Sequence, residues 1–456
     1  MTPQPYPTYK DSGLPWLGQV PEHWDVRRNG RLFAQRNETG HEQLPILEVS
    51  LRTGVRVRDM GNGTRKQQMT DRGKYKRAAK GDIAYNMMRM WQGAVGVVPV
   101  DGLISPAYVV ARPMPEVEPR YYNYLFRTAD YMREVNKFSH GIVADRNRLY
   151  WDEFKQMPSA YPPLEEQTAI ANFLDAHVRR TVHFISKKRR LIALLNEQKQ
   201  TIINQAVTRG LDPNAPMKPT GIDWMPEIPA HWELIKVKHL FNERIQKGNP
   251  ELPLLAATQE KGVIEKDDYQ KRTVIAMKDL HLLKSVNVGD FVISLRSFQG
   301  GIEISRAEGI ISPAYTILTP QNNVFCGYFR FLLKSYSFVN TLSLFVVGIR
   351  EGQSIDFQKL GVSFLPVPCL NEQKYISEYL ENIEFIMNNK VARTEHEMQL
   401  VREFSERLLI DVVTGKLDVR NIPVDLPAVD DAMEDLGEEN EGDLLEDDPE
   451  PDAVEE

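Results

Sequence analysis

The sequence predicts an α/β chain with a pseudo-two-fold internal repeat: two similar globular α/β domains separated by two long helices packed as an antiparallel coiled coil. Three observations predict it. One aromatic motif recurs 208 residues apart, the register between shared anchors holds through a whole half-chain, and each half closes on a long amphipathic helical stripe.

The repeat comes first. GLPWLGQVPEHW, from Gly13, is matched by GIDWMPEIPAHW, from Gly221, so that Gly13, Trp16, Pro21, His23 and Trp24 recur as Gly221, Trp224, Pro229, His231 and Trp232. The same offset pairs Leu32-Phe33 with Leu240-Phe241, Leu44-Pro45 with Leu252-Pro253, Gly54-Val55 with Gly262-Val263, and Gly81-Asp82 with Gly289-Asp290. After a slip of one residue, Gln92-Gly93 matches Gln299-Gly300, and ISPAY at 104–108 matches ISPAY at 311–315. After a second slip, Leu164, Glu166 and Gln167 match Leu370, Glu372 and Gln373, and VTRGLD from Val207 matches VTGKLD from Val413. Such a register is a duplication. The shared residues are mostly Gly, Pro, aromatic and aliphatic, the types that fix turns and cores. Between them the halves diverge: RDMGNGTRKQQMTDRGKYKR has little in common with EKDDYQKRTVIAMKDLHLLK. One scaffold with two polar surfaces predicts two related readings of different targets.

Each half opens on an aromatic, proline-rich segment. His23 and His231 have no cysteine or second histidine at metal-ligand spacing and read as structural. Short apolar runs then alternate with glycine turns. ILEV near Ile46, DIAYNMM from Asp82 and AVGVVPV from Ala94 read as strands, as do FVISL from Phe291, GIEIS from Gly301 and YTILT from Tyr315. Aromatics and aliphatics at three-to-four spacing predict a helix near Tyr121–Val135 and another near Tyr328–Val339.

The closing helices are predicted at 165–207 and 372–413. Pro162-Pro163 breaks the element before the first, and Glu165-Glu166 suit its first turn. Its stripe is Ile170, Leu174, Val178, Ile185, Ile192, Leu195 and Ile202. The second stripe is Ile376, Leu380, Ile383, Met387, Val391, Thr394, Met398, Val401, Leu408 and Val412. Steps of three and four held this long are a coiled-coil pattern. At 1.5 Å per residue the first helix would run about 65 Å, more than its own domain hides. The other repeat's helix is the expected partner, in an antiparallel pair, with parallel pairing or pairing with another protein's helices as the alternatives, and Gly210 and Gly415 are the expected stops. The expected segments are 1–160, 161–210, 211–368, 369–420 and an acidic tail, 421–456.

Charge divides the chain. Residues 421–456 carry sixteen Asp or Glu and no Lys or Arg, which leaves 47 acidic against 56 basic residues in 1–420. The body is mildly basic and admits a polyanion partner. The tail is expected to be disordered, either solubilising the chain or competing with nucleic acid. With two isolated cysteines, no apolar run of eighteen residues and no apolar leader, the expected setting is cytoplasmic.

Catalytic patterns are missing. The sequence has no GxxxxGK[ST], no HExxH and no cysteine pair at zinc spacing. YPPL at 161–164 lacks the polar and aromatic residues of an adenine-methyltransferase motif and reads as a breaker before a helix. Asp82 and Asp290 read as turn residues before strands, not as catalytic carboxylates.

Groups suited to DNA are plentiful. In the first half they are Arg52, Arg56, Arg58, Arg65, Lys66, Lys74, Arg77, Lys80, Asn86, Arg89, Arg146, Asn147 and Arg148. In the second they are Lys266, Lys271, Arg272, Lys278, Lys284, Arg296, Gln299, Arg306, Arg350 and Gln353. Cations attract phosphate, arginine pairs with guanine in two-point contacts, and Asn or Gln suits adenine edges.

YKDSGLPWLGQVPEHW at 9–24, PPLEEQTAIANFLD at 162–175, QAVTRGLD at 205–212, GIDWMPEIPAHWE at 221–233 and LNEQKYISEYL at 370–380 together resemble the specificity subunits of type I restriction-modification systems. The resemblance covers about residues 1–420; the acidic tail stands outside it. It implies two target recognition domains, about 25–160 and 235–368, each reading half of an interrupted, asymmetric site in double-stranded DNA. It implies helices that set the gap and hold two modification subunits, which methylate adenine with S-adenosylmethionine. Restriction/translocase subunits using ATP and Mg2+ would join the full complex, and this chain would bind no cofactor or metal and catalyse nothing. A DNA-binding structural adaptor and a self-contained DNA-modifying enzyme are the competing readings.

Overall fold

Ile83–Asn86 and Phe291–Ile293, the strands expected after the paired Gly-Asp turns, lie inside two sheets of the same order. The computed structural model describes residues 3–58, 72–141, 147–259, 261–269, 280–347 and 354–424. The chain divides into two compact units, residues 1–187 with 396–456, and residues 188–395.

Among the described residues of the first unit, the central sheet runs Phe33–Gln35, Tyr108–Pro113, Ile83–Asn86, Val95–Val97, antiparallel throughout. Leu47–Ser50 and Gly54–Val57 form a hairpin, Lys76–Ala78 pairs with Gly102–Ile104, and Asp25–Arg28 pairs with Pro158–Tyr161. Two short helices, Pro119–Phe126 and Ala129–Phe138, cover the sheet. Trp24, Phe33, Tyr85, Tyr121, Tyr122, Phe126, Tyr131 and Phe154 fill the core.

The second unit repeats each piece. Its sheet runs Phe241–Arg244, Thr316–Pro320, Phe291–Ile293, Glu303–Ile304. Leu255–Thr258 with Gly262–Glu265, Lys284–Val286 with Gly309–Ile311, and Glu233–Lys236 with Phe364–Val367 are the counterparts of the three pairs. Trp232, Phe241, Phe291, Tyr328, Phe329 and Phe338 fill its core.

The single helix expected in each half near Tyr121 and Tyr328 is instead two. In the first unit the Thr128 hydroxyl donates to the Leu125 carbonyl and accepts from the Tyr131 amide, so it ends one helix and caps the next. In the second, Ser335 donates to Leu332 between helices Cys326–Leu332 and Tyr336–Leu342. Short hydroxyl side chains compete with the helix backbone, and here they win.

The long helices span Leu164–Arg209 and Leu370–Val413. They pair antiparallel within each unit. In the first, His177 Nε2 lies 3.0 Å from Ser405 Oγ; in the second, Lys199 Nζ donates to Asn388 Oδ1 at 3.0 Å. The stripe of the second helix is the better buried: Ile376, Leu380, Met387, Thr394, Met398 and Val412 are all buried. Ser405, also buried, fills the step between Val401 and Leu408 that the apolar pattern leaves open.

The recurring Glu-Gln pair ties each helix start to its domain. Glu166 Oε1 accepts the Trp24 indole N–H at 3.0 Å and the Tyr6 hydroxyl, and Oε2 lies 2.7 Å from His23 Nε2. Glu372 accepts Trp232 at 2.9 Å and lies 3.0 Å from His231. Gln167 donates to the Pro162 carbonyl and accepts the Glu118 amide; Gln373 does the same with Pro368 and Phe325. Both histidines are thus structural, as expected.

The helix ends close on the same aromatics. Gly210 and Gly415 adopt φ of 75° and 81°, the left-handed stop that favours glycine. A Cβ at Gly210 would lie 3.3 Å from Trp232, and one at Gly415 would lie 2.8 Å from Trp24. Each unit is therefore held by the start of one long helix and the end of the other.

Candidate nucleic-acid interface

The candidate surface begins at the Gly-Asp turns, where Gly81 and Gly289 both take a φ of 90°. Asp82, buried, accepts the Arg36 guanidinium at 2.7 and 3.3 Å and the Ala79 amide at 2.9 Å. Asp290 accepts Arg244 at 2.9 and 3.2 Å and the Asn287 amide at 2.8 Å. These carboxylates lock a turn, as their sequence setting predicted. No local pattern marks their arginine partners, although Arg36 and Arg244 recur at the same 208-residue offset.

Several candidate cations are held by the fold. Arg77 is bound by Asp101 at 2.9 Å and Glu38 at 3.0 Å, which raise its pKa above the usual arginine value. Arg56 pairs with Glu48 at 2.6 Å across its hairpin. Lys284 donates to the Tyr315 carbonyl at 2.7 Å, and its counterpart Lys76 donates to Tyr108 at 2.9 Å. Burial lowers the Lys76 pKa below the ordinary lysine value, which suits a strut rather than a free charge. Asn86 accepts the Met88 amide at 2.9 Å and shapes a turn, while Asn147 donates to Asn136 at 2.9 Å.

Others face solvent. Arg52, Lys74, Lys80, Arg89, Arg148, Arg296, Gln299 and Arg306 are exposed, and Arg58 and Lys266 half-buried. Among the described residues of the first unit they do not form one cluster. Lys80 lies before strand Ile83–Asn86 and Arg89 after it, so they mark opposite ends of the sheet. Arg148 joins Arg89 at the far end, because the neighbouring Leu149 amide donates to the Met87 carbonyl at 2.9 Å. Arg52 sits on a hairpin tip, where Arg127 grips the Leu51 and Arg52 carbonyls at 2.6 and 3.0 Å. Lys334 grips the matching tip through the Gln259 carbonyl at 2.6 Å. Arg65, Lys66, Arg146, Lys271, Arg272, Lys278, Arg350 and Gln353 lie outside the described residues, as does the acidic tail from 425.

Among the described residues no His, Cys, Asp and Glu group is arranged to hold a metal ion, and no helix is long and apolar enough to cross a membrane.

No family model matches the chain. A putative type I restriction enzyme MjaX specificity subunit from Methanocaldococcus jannaschii is 24% identical over 430 residues, spanning 89% of this chain and 96% of the relative. The chain is related to the type I restriction specificity subunits. The fold agrees. The crystal structure of the HsdS subunit from Thermoanaerobacter tengcongensis matches with a TM-score of 0.52 at 16% identity, over 87% of this chain and 98% of that one. A chain from work on complex assembly and conformational transition of the type I R-M system matches with a TM-score of 0.64 at 15% identity, over 87% of this chain and 99% of that one. These likenesses cover 87–89% of the chain.

Proposed function

We propose that this chain is the DNA-reading subunit of a type I restriction-modification complex, and that each unit reads one half of an interrupted target. The repetition of one scaffold under two different surfaces carries this reading. Buried anchors recur in both halves, whereas exposed cations such as Arg52, Lys80 and Arg148 do not. Two recognition surfaces on one scaffold are what an asymmetric, bipartite site requires. Likeness in sequence to a specificity subunit along 89% of the chain supports the same role.

The chemistry belongs to partners in this reading. Modification subunits bring S-adenosylmethionine and methylate adenine; restriction subunits bring ATP and Mg2+. The long helices offer them a place to dock. In the second unit Tyr375 and Phe385 are each 67% exposed on the second long helix, and Leu194 is 52% exposed on the first. In the first unit Leu400 and Phe404 are 50% and 63% exposed. Apolar side chains exposed outside the paired stripe would gain burial if a partner covered them. One modification subunit on each unit is the simplest arrangement for a repeated platform.

The test is methyl transfer and duplex binding by the chain alone and with its modification subunits. The pure chain is expected to transfer no methyl group, and the complex to methylate adenine within one bipartite sequence. Methyl transfer by the pure chain, or a complex with no sequence preference, contradicts the proposal.

A further inference from the structure

The divergent residues account for two readings, but some exposed residues do not diverge. Arg89 and Gln92 recur as Arg296 and Gln299. All four are exposed, and among the described residues neither guanidinium has a side-chain hydrogen bond or ion pair. A shared buried residue is explained by the core. A shared exposed arginine without an intramolecular partner needs another reason.

The turns that carry them start alike. Arg89 has φ −125° and ψ 11°, and Arg296 has φ −110° and ψ 9°. The Gln92 amide donates to the Arg89 carbonyl at 3.0 Å, and the Gln299 amide to the Arg296 carbonyl at 2.9 Å. Each hydrogen bond closes one turn on the arginine, so the arginine and the glutamine bracket it: a 3-10 turn, Met90–Gln92, in the first unit and a short α-helical turn, Ser297–Gly300, in the second. The aromatic between them anchors the turn: Trp91 and Phe298 are half-buried against their unit's core. The Trp91 indole also donates to the Met88 carbonyl at 2.9 Å. Each turn follows the strand that leaves the Gly-Asp lock.

We infer that Arg89 with Gln92, and Arg296 with Gln299, are positioning contacts to the phosphate backbone, one in each half-site, and read no base. The inference rests on the DNA-reading role proposed above. Two half-sites of different sequence share only their backbone chemistry. A contact kept identical in two otherwise divergent readers therefore suits phosphate and sugar, which fix register without carrying sequence. Arginine suits phosphate because its planar fork makes two parallel charge-assisted hydrogen bonds. The carboxamide adds a neutral donor beside it.

The experiment uses the complete methylating complex with wild-type chain, with Arg89→Ala/Arg296→Ala, and with Arg89→Lys/Arg296→Lys. Binding to target and random duplex is measured across a KCl series, and methylated adenines are mapped. The double alanine variant is expected to bind target and random duplex more weakly by the same factor. Its log K against log[salt] slope should be shallower by about two, since each lost phosphate contact removes about 0.9. The methylated sequence should not change, and the lysine variant should recover the slope. Unchanged affinity and slope, or a relaxed or altered methylated sequence, overturns the inference and leaves the DNA-reading role standing. A wild-type complex that selects no sequence overturns both.

Discussion

Glu166 accepts the indole N–H of Trp24 at 3.0 Å, across 142 residues of chain. The same carboxylate takes Tyr6 and His23. Glu166→Ala leaves these groups without their shared acceptor in a buried place. Unmet buried donors cost about 1–3 kcal/mol each, so a loss of about 2–4 kcal/mol is expected for the first unit. Glu372 has a more open side chain, 24% exposed against 4%. Glu372→Ala should therefore cost less, and hydrogen exchange at each helix start reads the difference.

The turn locks predict an ordering. Asp290 is the carboxylate that holds Arg244, whereas Arg36 keeps Glu38 if Asp82 is lost. Removing one member of a buried pair costs about 3–5 kcal/mol, so Asp290→Ala should approach that range and Asp82→Ala fall below it. Urea unfolding of each variant measures this. Any complex that assembles with Asp82→Asn should methylate at the wild-type rate, because the carboxylate shapes a turn and touches no reacting atom.

Glu303 predicts a pH dependence. Burial raises its pKa to about 7, against the opposing pull of Lys334 and Arg306. A carboxyl that binds its proton more tightly folded than unfolded favours the folded state when protonated. Stability from this group is therefore greatest below about 4.5, falls as pH rises toward about 7, and is level above. Glu303→Gln should flatten that slope and stabilise the second unit at pH 8 by about 2–3 kcal/mol. The readout is the urea midpoint at pH 5 and pH 8.

The helix stops predict unequal penalties. A Cβ at Gly415 would lie 2.5 Å from Pro21 and 2.8 Å from Trp24, closer than the 3.3 Å approach at Gly210. Positive φ alone costs a non-glycine residue about 1–2 kcal/mol. Gly210→Ala should lose about that much stability, and Gly415→Ala more, in thermal melts.

Much of this was legible because the repeat exposed it. Anchors such as Trp24 and Trp232 gave the duplication, and the three-to-four stripe gave both long helices to within a few residues. The role of Glu166 was not legible in full. Its place in the first helical turn is local, but its partner Trp24 is distant in sequence, and nothing local marks that pairing. Arg36 was legible in principle, since it recurs with Asp82 at one offset. The candidate surface was the least legible part. A lysine such as Lys284 looks the same in sequence whether it meets a phosphate or the Tyr315 carbonyl, and only the fold distinguishes them.

The central claim is that each unit reads one half-site. The most direct measurement is a map of methylated adenines after residues 25–160 are replaced by the matching domain of another specificity subunit. The account predicts that one half-site changes while the other half-site and the gap stay fixed. A map in which both halves change, or neither does, would contradict it.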